Sequence, residues 1–454
     1  MEKSEVNKVK LSFNNSEKYR SKIHDLIPGG AHTYSKGDDT FPLIAPAAIQ
    51  YGKGCYVWDI DGNMFLDCAM GLSSVTLGHA LEQINQPVIE EIKRGLNFQR
   101  PSYLEGELAE LFLSLIEQHD RIKFAKNGST VTTASVKLAR AYTGRKLVAF
   151  PEDHPFFSYD DWFIGKTACS FGVPEEFSAL SKTFKSCSLK SLNELFAKYP
   201  DQIAAVIFEP KRNKCDNGCK CSISNESYLK EAAKIIHKNG SILILDEMIT
   251  GFKAAFPGLT TKLDIDADIT TWGKSTSNGF SFAAMTGKSE IMDLGGIKNE
   301  GAKKFFMSST THGAETIGLR AVIETINFYK RNKVIDHNHS IGEKLYQKCI
   351  SIIKKENFQD YMKIAPNYWM LIFELKHPDE SLIPYLQTSF SQEMILNGIL
   401  IQASFVPCYS HNDKAIDLFC IAFDKTIKKL KSQLKKEETL RDIKLTKRVF
   451  RKNI

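Results

Sequence analysis

IAAVIFEP, residues 203–210, and YLKEAAKIIHKNGSILILDE, residues 228–247, separate an α/β chain from a helical one. Ile203–Phe208 is an unbroken apolar run of strand length, ended by Glu209 and Pro210. Tyr228–His237 repeats its apolar residues at helical intervals and stops at Gly240, the residue type best able to leave a helix. Ser241–Glu247 is a second apolar run. Strand, helix, strand predicts a βαβ unit whose two parallel strands are buried on both faces. Working outward, Ala267–Trp272 predicts another short strand. Tyr103–Ile116 predicts a helix with Leu104, Leu108, Leu111, Phe112 and Leu115 on one face. Residues 14–26, 316–330 and 338–354 also read as helices, and 51–67 reads as a hairpin turning at DGN. This alternation of strand-like and helix-like runs predicts an α/β fold.

The 454 residues, 43% hydrophobic, can bury a large core in more than one domain. No uninterrupted apolar stretch reaches the length of a spanning helix, and the first residues lack the apolar segment of a secretory signal. A cytoplasmic location with no membrane partner is therefore expected. The net charge of +7 gathers toward Lys425–Lys452, where Ile427, Leu430, Leu434, Leu440 and Ile443 recur at roughly helical intervals. A solvated surface helix is expected there rather than a nucleic-acid tail, because aromatic residues for base stacking are not interleaved. The ten cysteines show no disulfide framework. The cluster of Cys215, Cys219 and Cys221 lacks the paired spacing of structural zinc, so a reduced loop is expected and no metal.

Three features carry chemistry. Asp246 follows ILIL at the carboxyl end of a parallel strand, where ligands bind in open α/β sheets. A carboxylate there is costly unless it meets a cation or a metal; a helix N-cap is the competing reading. Lys274, in DITTWGKSTSNG (268–279), also lies just past a strand and stands alone among Gly, Ser, Thr and Asn. Desolvation lowers a lysine from its unperturbed pKa of about 10.4, and the neutral amine condenses with carbonyls. An exposed loop lysine is the competing reading. In FAKNGSTVTTASVKLARAYTGR (124–145), Gly128, Ser129 and Thr130 feed a helix marked by Val131, Ala134, Leu138 and Ala141. Free N–H groups and the positive dipole end suit a phosphate there; a plain N-cap by Ser129 or Thr130 is the alternative. Together the three want a ring nitrogen, an aldehyde and a phosphate, which pyridoxal 5′-phosphate (PLP) combines.

These segments stand in order with PGGAHTYSKG (28–37), YGKGCYVWDIDGNMFLD (51–67), GLSSVTLGHA (71–80), LILDEMITGFK (243–253) and SSTTHGAETIGLRA (308–321). The series resembles the class-III aminotransferases of PLP fold type I, and within them the glutamate-1-semialdehyde 2,1-aminomutase-like branch. The likeness covers nearly the whole chain. It implies a large domain over 76–325 with a mostly parallel, seven-stranded-type sheet. A smaller α+β domain would come from both termini, 1–75 and 326–454. It implies Lys274 as the Schiff-base lysine, Asp246 as the carboxylate at the pyridine nitrogen, and Gly128, Ser129 and Thr130 as the phosphate turn. Glu209 matches a glutamate near the cofactor. Thr311 matches a residue that touches the phosphate in the neighbouring subunit, which implies a homodimer with shared active sites.

The series also departs from the family. In EDHPFFSYDDWFIG (152–165), His154 falls at the position of the ring that stacks on the cofactor, with Phe156 or Phe157 as substitutes. Val131 stands where an acidic residue is usual, and Lys253 where arginine is common. Lys36 takes the place of the arginine that receives the substrate carboxylate in the aminomutase, and lysine lacks the bidentate fork. His32, Tyr34, Lys36, Ser73 and His312 are assigned to the substrate side, each with a purely structural role as the competing reading. The implied activity moves an amino group between an amino donor and a carbonyl acceptor, in a setting such as surface-carbohydrate or secondary-metabolite biosynthesis. The alternatives are an intramolecular aminomutase and a non-catalytic binding protein on the same fold.

Overall fold

A computed structural model describes residues 11–153, 156–210, 225–301 and 303–446. The chain forms two compact units. One comprises the described residues up to Leu72, Leu77–Ala80 and the described residues from His337 onward; the other comprises Ser73–Thr76 and Leu81–Asp336. The later boundary falls after Asp336, beyond the helix Thr316–Arg331, where the sequence placed it at 325–326.

The second unit is built on seven strands: β1 (Arg121–Ala125), β2 (Leu147–Pro151), β3 (Ser181–Phe184), β4 (Ile203–Phe208), β5 (Ile242–Asp246), β6 (Ile269–Gly273) and β7 (Ala283–Gly287). Their order in the sheet is β1-β7-β6-β5-β4-β2-β3. From β6 to β3 all pairings are parallel, and β7 runs antiparallel to both of its neighbours. Every residue of β4, β5, β6 and β7 is buried, and β4 and the first four residues of β5 are written as continuous apolar runs rather than as alternation. Burying a Val, Leu, Ile or Phe stabilises by roughly 1.5–3 kcal/mol, so a polar residue in such a strand needs a reason. Asp246 and Thr271 are two such residues.

Helices cover both faces of this sheet. On one, α1 (Gly128–Thr143) packs Val131, Ala134 and Leu138 against Val148, Ile207 and Ile244. On the other, α2 (Asn225–Lys238) packs Leu229, Ala232 and Ile236 against Val206, Leu243 and Leu245. Successive strand residues thus face opposite helices. At the amino edge of β6, Asp268 accepts hydrogen bonds from His237 of α2 (2.9 Å), Lys288 (2.9 Å) and the Leu243 N–H (2.8 Å), tying helix to sheet.

In the first unit, Tyr56–Asp59 and Met64–Asp67 form the antiparallel hairpin read from the sequence. Ile49–Lys53 adds a strand on one side and Ile399–Leu400 a parallel one on the other. After α3 (Thr316–Arg331) come α4 (Val334–Lys355) and α5 (Asp413–Leu434). Lys344, Lys348 and Lys355 pair with Asp413, Asp417 and Asp424 at 2.9, 2.6 and 3.5 Å, so α4 and α5 run parallel. The part of the basic stretch up to Leu434 belongs to α5, which starts well before Lys425; Lys425, Lys428 and Lys429 are exposed on its solvated face while Ile427 and Leu430 are buried on the other. Cys187 is disulfide-bonded, a pairing that spacing along the chain does not report. Cys215, Cys219, Cys221 and His154 lie outside the described residues. No helix among the described residues is long and apolar enough to cross a membrane.

Candidate active site

Parallel neighbours deliver their carboxyl ends to one edge, so β5 and β6 bring Asp246 and Lys274 together there. Asp246 lies in register with Thr271, whose hydroxyl donates to Asp246 Oδ1 at 2.9 Å. The Met248 N–H donates to the same oxygen at 3.0 Å. Both bonds end on Oδ1, which leaves Oδ2 for a further donor. Burial pushes this carboxyl up to about 6, against the opposing pull of the Met248 N–H, Lys274 and Thr271.

Lys274 follows Gly273 and opens a single 3₁₀ turn, Lys274–Ser277, with a left-handed φ of +48°. A non-glycine residue adopts that conformation at a cost of roughly 1–2 kcal/mol, so the turn must be held. Ser275 Oγ donates to the Ser73 carbonyl at 3.0 Å. The Lys274 side chain keeps partial solvent contact, yet the surrounding protein pushes its amine below the usual lysine range, while Asp246 and Glu209 pull it back. Lys253, only 2% exposed, donates from Nζ to the same Ser73 carbonyl at 2.8 Å. Burial pushes its amine well down, Lys274 pushes it further, and Glu209 opposes both.

The strand β1 feeds the third component. Asn127 caps α1, its Oδ1 accepting from the Thr130 N–H at 3.0 Å. The N–H groups of Gly128 and Ser129, in the first turn, have no intrahelical acceptor. A Cβ on Gly128 would lie 3.0 Å from Met248 Sδ, and one on Gly273 would lie 2.5 Å from the same sulfur. Met248 thus packs against the residues that open both turns.

A family model described as aminotransferase class III matches residues 42–427. The chain belongs to the class-III aminotransferases. Among its relatives, the glutamate-1-semialdehyde 2,1-aminomutase of Thermoplasma volcanium is 28% identical over 423 residues, covering 88% of this chain and 96% of that protein. The 3-aminobutyryl-CoA aminotransferase of Cloacimonas acidaminovorans is 25% identical over 429 residues, covering 94% and 99%. The solved structure of the FumI protein of Sphingopyxis sp. MTA144 matches with a TM-score of 0.83 at 20% identity, covering 92% of this chain and 97% of that one. The fold is PLP fold type I, and pyridoxal 5′-phosphate is the cofactor of this aminotransferase. The residues present fit that group. They offer free N–H donors at a helix start, a carboxylate with an open oxygen, and a desolvated amine beside it.

The other sequence-assigned residues are dispersed across the aminotransferase. Glu209 is buried at the end of β4 and acts electrostatically on both amines. Phe157 packs into the core beside α1, whereas Phe156 is 49% exposed and meets Phe163 edge-on. Val131 is core. Ser73 is buried and enters through its backbone carbonyl. His32, Tyr34 and Lys36 belong to the other unit and are exposed. Thr311 and His312 are exposed. Thr311 lines a cleft of about 610 Å³ whose wall contains none of Asp246, Lys274 or Gly128–Thr130. Thr271, Met248 and Ser275 were missed from sequence. Thr270-Thr271 inside an otherwise apolar central strand was the available signal for the first.

Proposed function

We propose that this class-III aminotransferase moves an amino group from an amino donor to a separate carbonyl acceptor, with Lys274 and Asp246 as its catalytic residues. The reading rests on the meeting of a buried carboxylate and a desolvated amine at one sheet edge. Bound pyridoxal 5′-phosphate supplies an aldehyde for the donor nitrogen and a ring that accepts the electrons of a broken C–H bond. The Gly128 and Ser129 N–H groups would hold the phosphate, joined by the Thr130 hydroxyl if it turns from Asn127 Oδ1, to which it donates at 3.1 Å. Asp246 Oδ2 would accept a hydrogen bond from the protonated ring nitrogen and so keep the proton on the ring. Lys274 Nζ, as the neutral amine, would take the proton from the donor's amino-bearing carbon and later return it. Burial of Lys274 favours the neutral amine that this step needs. Glu209 and Phe156 complete the surroundings of the ring.

The relatives that are glutamate-1-semialdehyde 2,1-aminomutases favour a second reading, in which nitrogen returns to an adjacent carbon of the same molecule. Lys36 and Lys253, in place of arginines, argue for an acceptor other than glutamate semialdehyde, such as one of surface-carbohydrate or secondary-metabolite biosynthesis. Supplying an amino substrate alone separates the readings. A transaminase consumes about one equivalent per subunit and stops until a carbonyl acceptor is added. Sustained turnover without an acceptor would replace it with the mutase.

A homodimer in which Thr311 serves the neighbouring subunit's site is part of the same proposal. Phe98 in the cleft wall is 51% exposed, and Tyr103 and Phe306, close in sequence to lining residues, are 77% and 71% exposed. Exposed rings of this size favour a covering surface. Sedimentation is expected to give twice the chain mass of 51.2 kDa; a species at 51.2 kDa alone sinks the shared-site reading.

A further inference from the structure

Lys253 is a buried amine that the proposed chemistry leaves unused. The backbone around it is held firmly. Phe252 has a left-handed φ of +58°, and its carbonyl accepts a hydrogen bond from the Tyr329 hydroxyl of α3. The Phe252 ring meets Tyr329 and Phe256 edge-on, with centroids 5.3 and 5.0 Å away. The Lys253 N–H donates to the Thr250 carbonyl at 3.2 Å. This clamp sends the side chain to the Ser73 carbonyl, 2.8 Å from Nζ.

Ser73 is itself left-handed, with φ of +68°. Its carbonyl receives two donors, Lys253 Nζ and Ser275 Oγ, which fill both lone pairs. Two residues on, Val75 closes against Gly279, where a Cβ would lie 3.1 Å from Val75 Cγ2. Segment 73–75 therefore braces both ends of the turn 274–279, and Lys253 pins the brace. A buried carbonyl stripped of one of its donors loses a hydrogen bond and keeps its desolvation, so the brace would shift.

We propose that Lys253 is a positioning residue for Lys274: by holding the Ser73 carbonyl against Ser275, it fixes the left-handed turn that aims the Lys274 amine. This rests on the reading of Lys274 as the cofactor lysine. Electrostatics works in the same sense, since two neighbouring amines, one of them buried, resist being charged together.

The test uses the full chain stripped of cofactor. Parent and Lys253→Met proteins are mixed with pyridoxal 5′-phosphate, quenched with borohydride at intervals and digested, and the pyridoxyl group on the Lys274 peptide is quantified. 4-Deoxypyridoxine 5′-phosphate, which lacks the aldehyde, measures binding that needs no lysine. In Lys253→Met, capture at Lys274 is expected to slow by about tenfold while affinity for the deoxy analogue stays within about twofold. Lys253→Arg, which keeps an N–H donor on a long side chain, is expected to regain capture. Ser275→Ala removes the other donor to Ser73 and is expected to slow capture likewise, a check that stands even if Lys253→Met does not fold. Unchanged capture in these variants, or parallel loss of capture and analogue binding, overturns the proposal. A parent protein that yields no pyridoxyl peptide at Lys274 overturns the reading of Lys274 instead.

Discussion

Replacing Lys274 with alanine is expected to lower amino transfer by about 10⁴-fold or more, measured as steady-state turnover with donor and acceptor both present. The variant loses a nucleophile and a proton carrier in one side chain. No neighbour takes over. Lys253 Nζ is committed to the Ser73 carbonyl, and Glu209, an acceptor group when ionised, cannot condense with an aldehyde. The fold should survive, because the Lys274 side chain is not part of the apolar core and its turn is anchored through Ser275. A melting curve near that of the parent, together with loss of turnover, is the expected pair of results. Turnover comparable to the parent would remove Lys274 from the mechanism.

Asp246→Asn is expected to separate activity from stability. Activity should fall by about 10²–10³-fold, because a neutral amide cannot hold the proton on a ring nitrogen. Stability should move the other way in the cofactor-free protein. Burial raises the Asp246 carboxyl from 3.8 to about 6, so the folded state binds this proton more tightly than the unfolded chain. Stability from such a group is full below the unfolded value and is lost as pH rises through the folded one. Above pH 7 the ionised carboxylate therefore costs the empty fold roughly 2–3 kcal/mol. The amide carries no charge and can still accept from Met248 and Thr271. The variant should melt above the parent at pH 8, and the difference should vanish near pH 4. A variant that melts lower at pH 8 would show that the hydrogen bonds to the carboxylate outweigh its desolvation.

The central sheet was legible because strands buried on both faces are written as unbroken apolar runs, as in Ile203–Phe208 and Ile242–Leu245. Asp246 was legible for the complementary reason, as a charge ending such a run. Ile49–Lys53 was not, because four of its five residues are exposed and carry no apolar pattern. The register of Asp246 with Thr271 depends on how two strands slide past each other, which neither strand encodes alone. Lys253 and Ser73 are 180 positions apart and meet through a backbone carbonyl, an atom every residue has. Phe156 and Phe157 are adjacent identical residues, so only the local backbone decides which enters the core. In α5 the lysines drew the eye to the solvent face, while Phe419, Phe423, Ile427 and Leu430 form the buried stripe.

The contact of Met248 Sδ with Gly128 and Gly273 has a mechanical corollary. One thioether lies against both the glycine proposed for the phosphate turn and the glycine before Lys274. Peroxide attack on that atom adds an oxygen where neither glycine has slack, and it would pry the two turns apart in a single event.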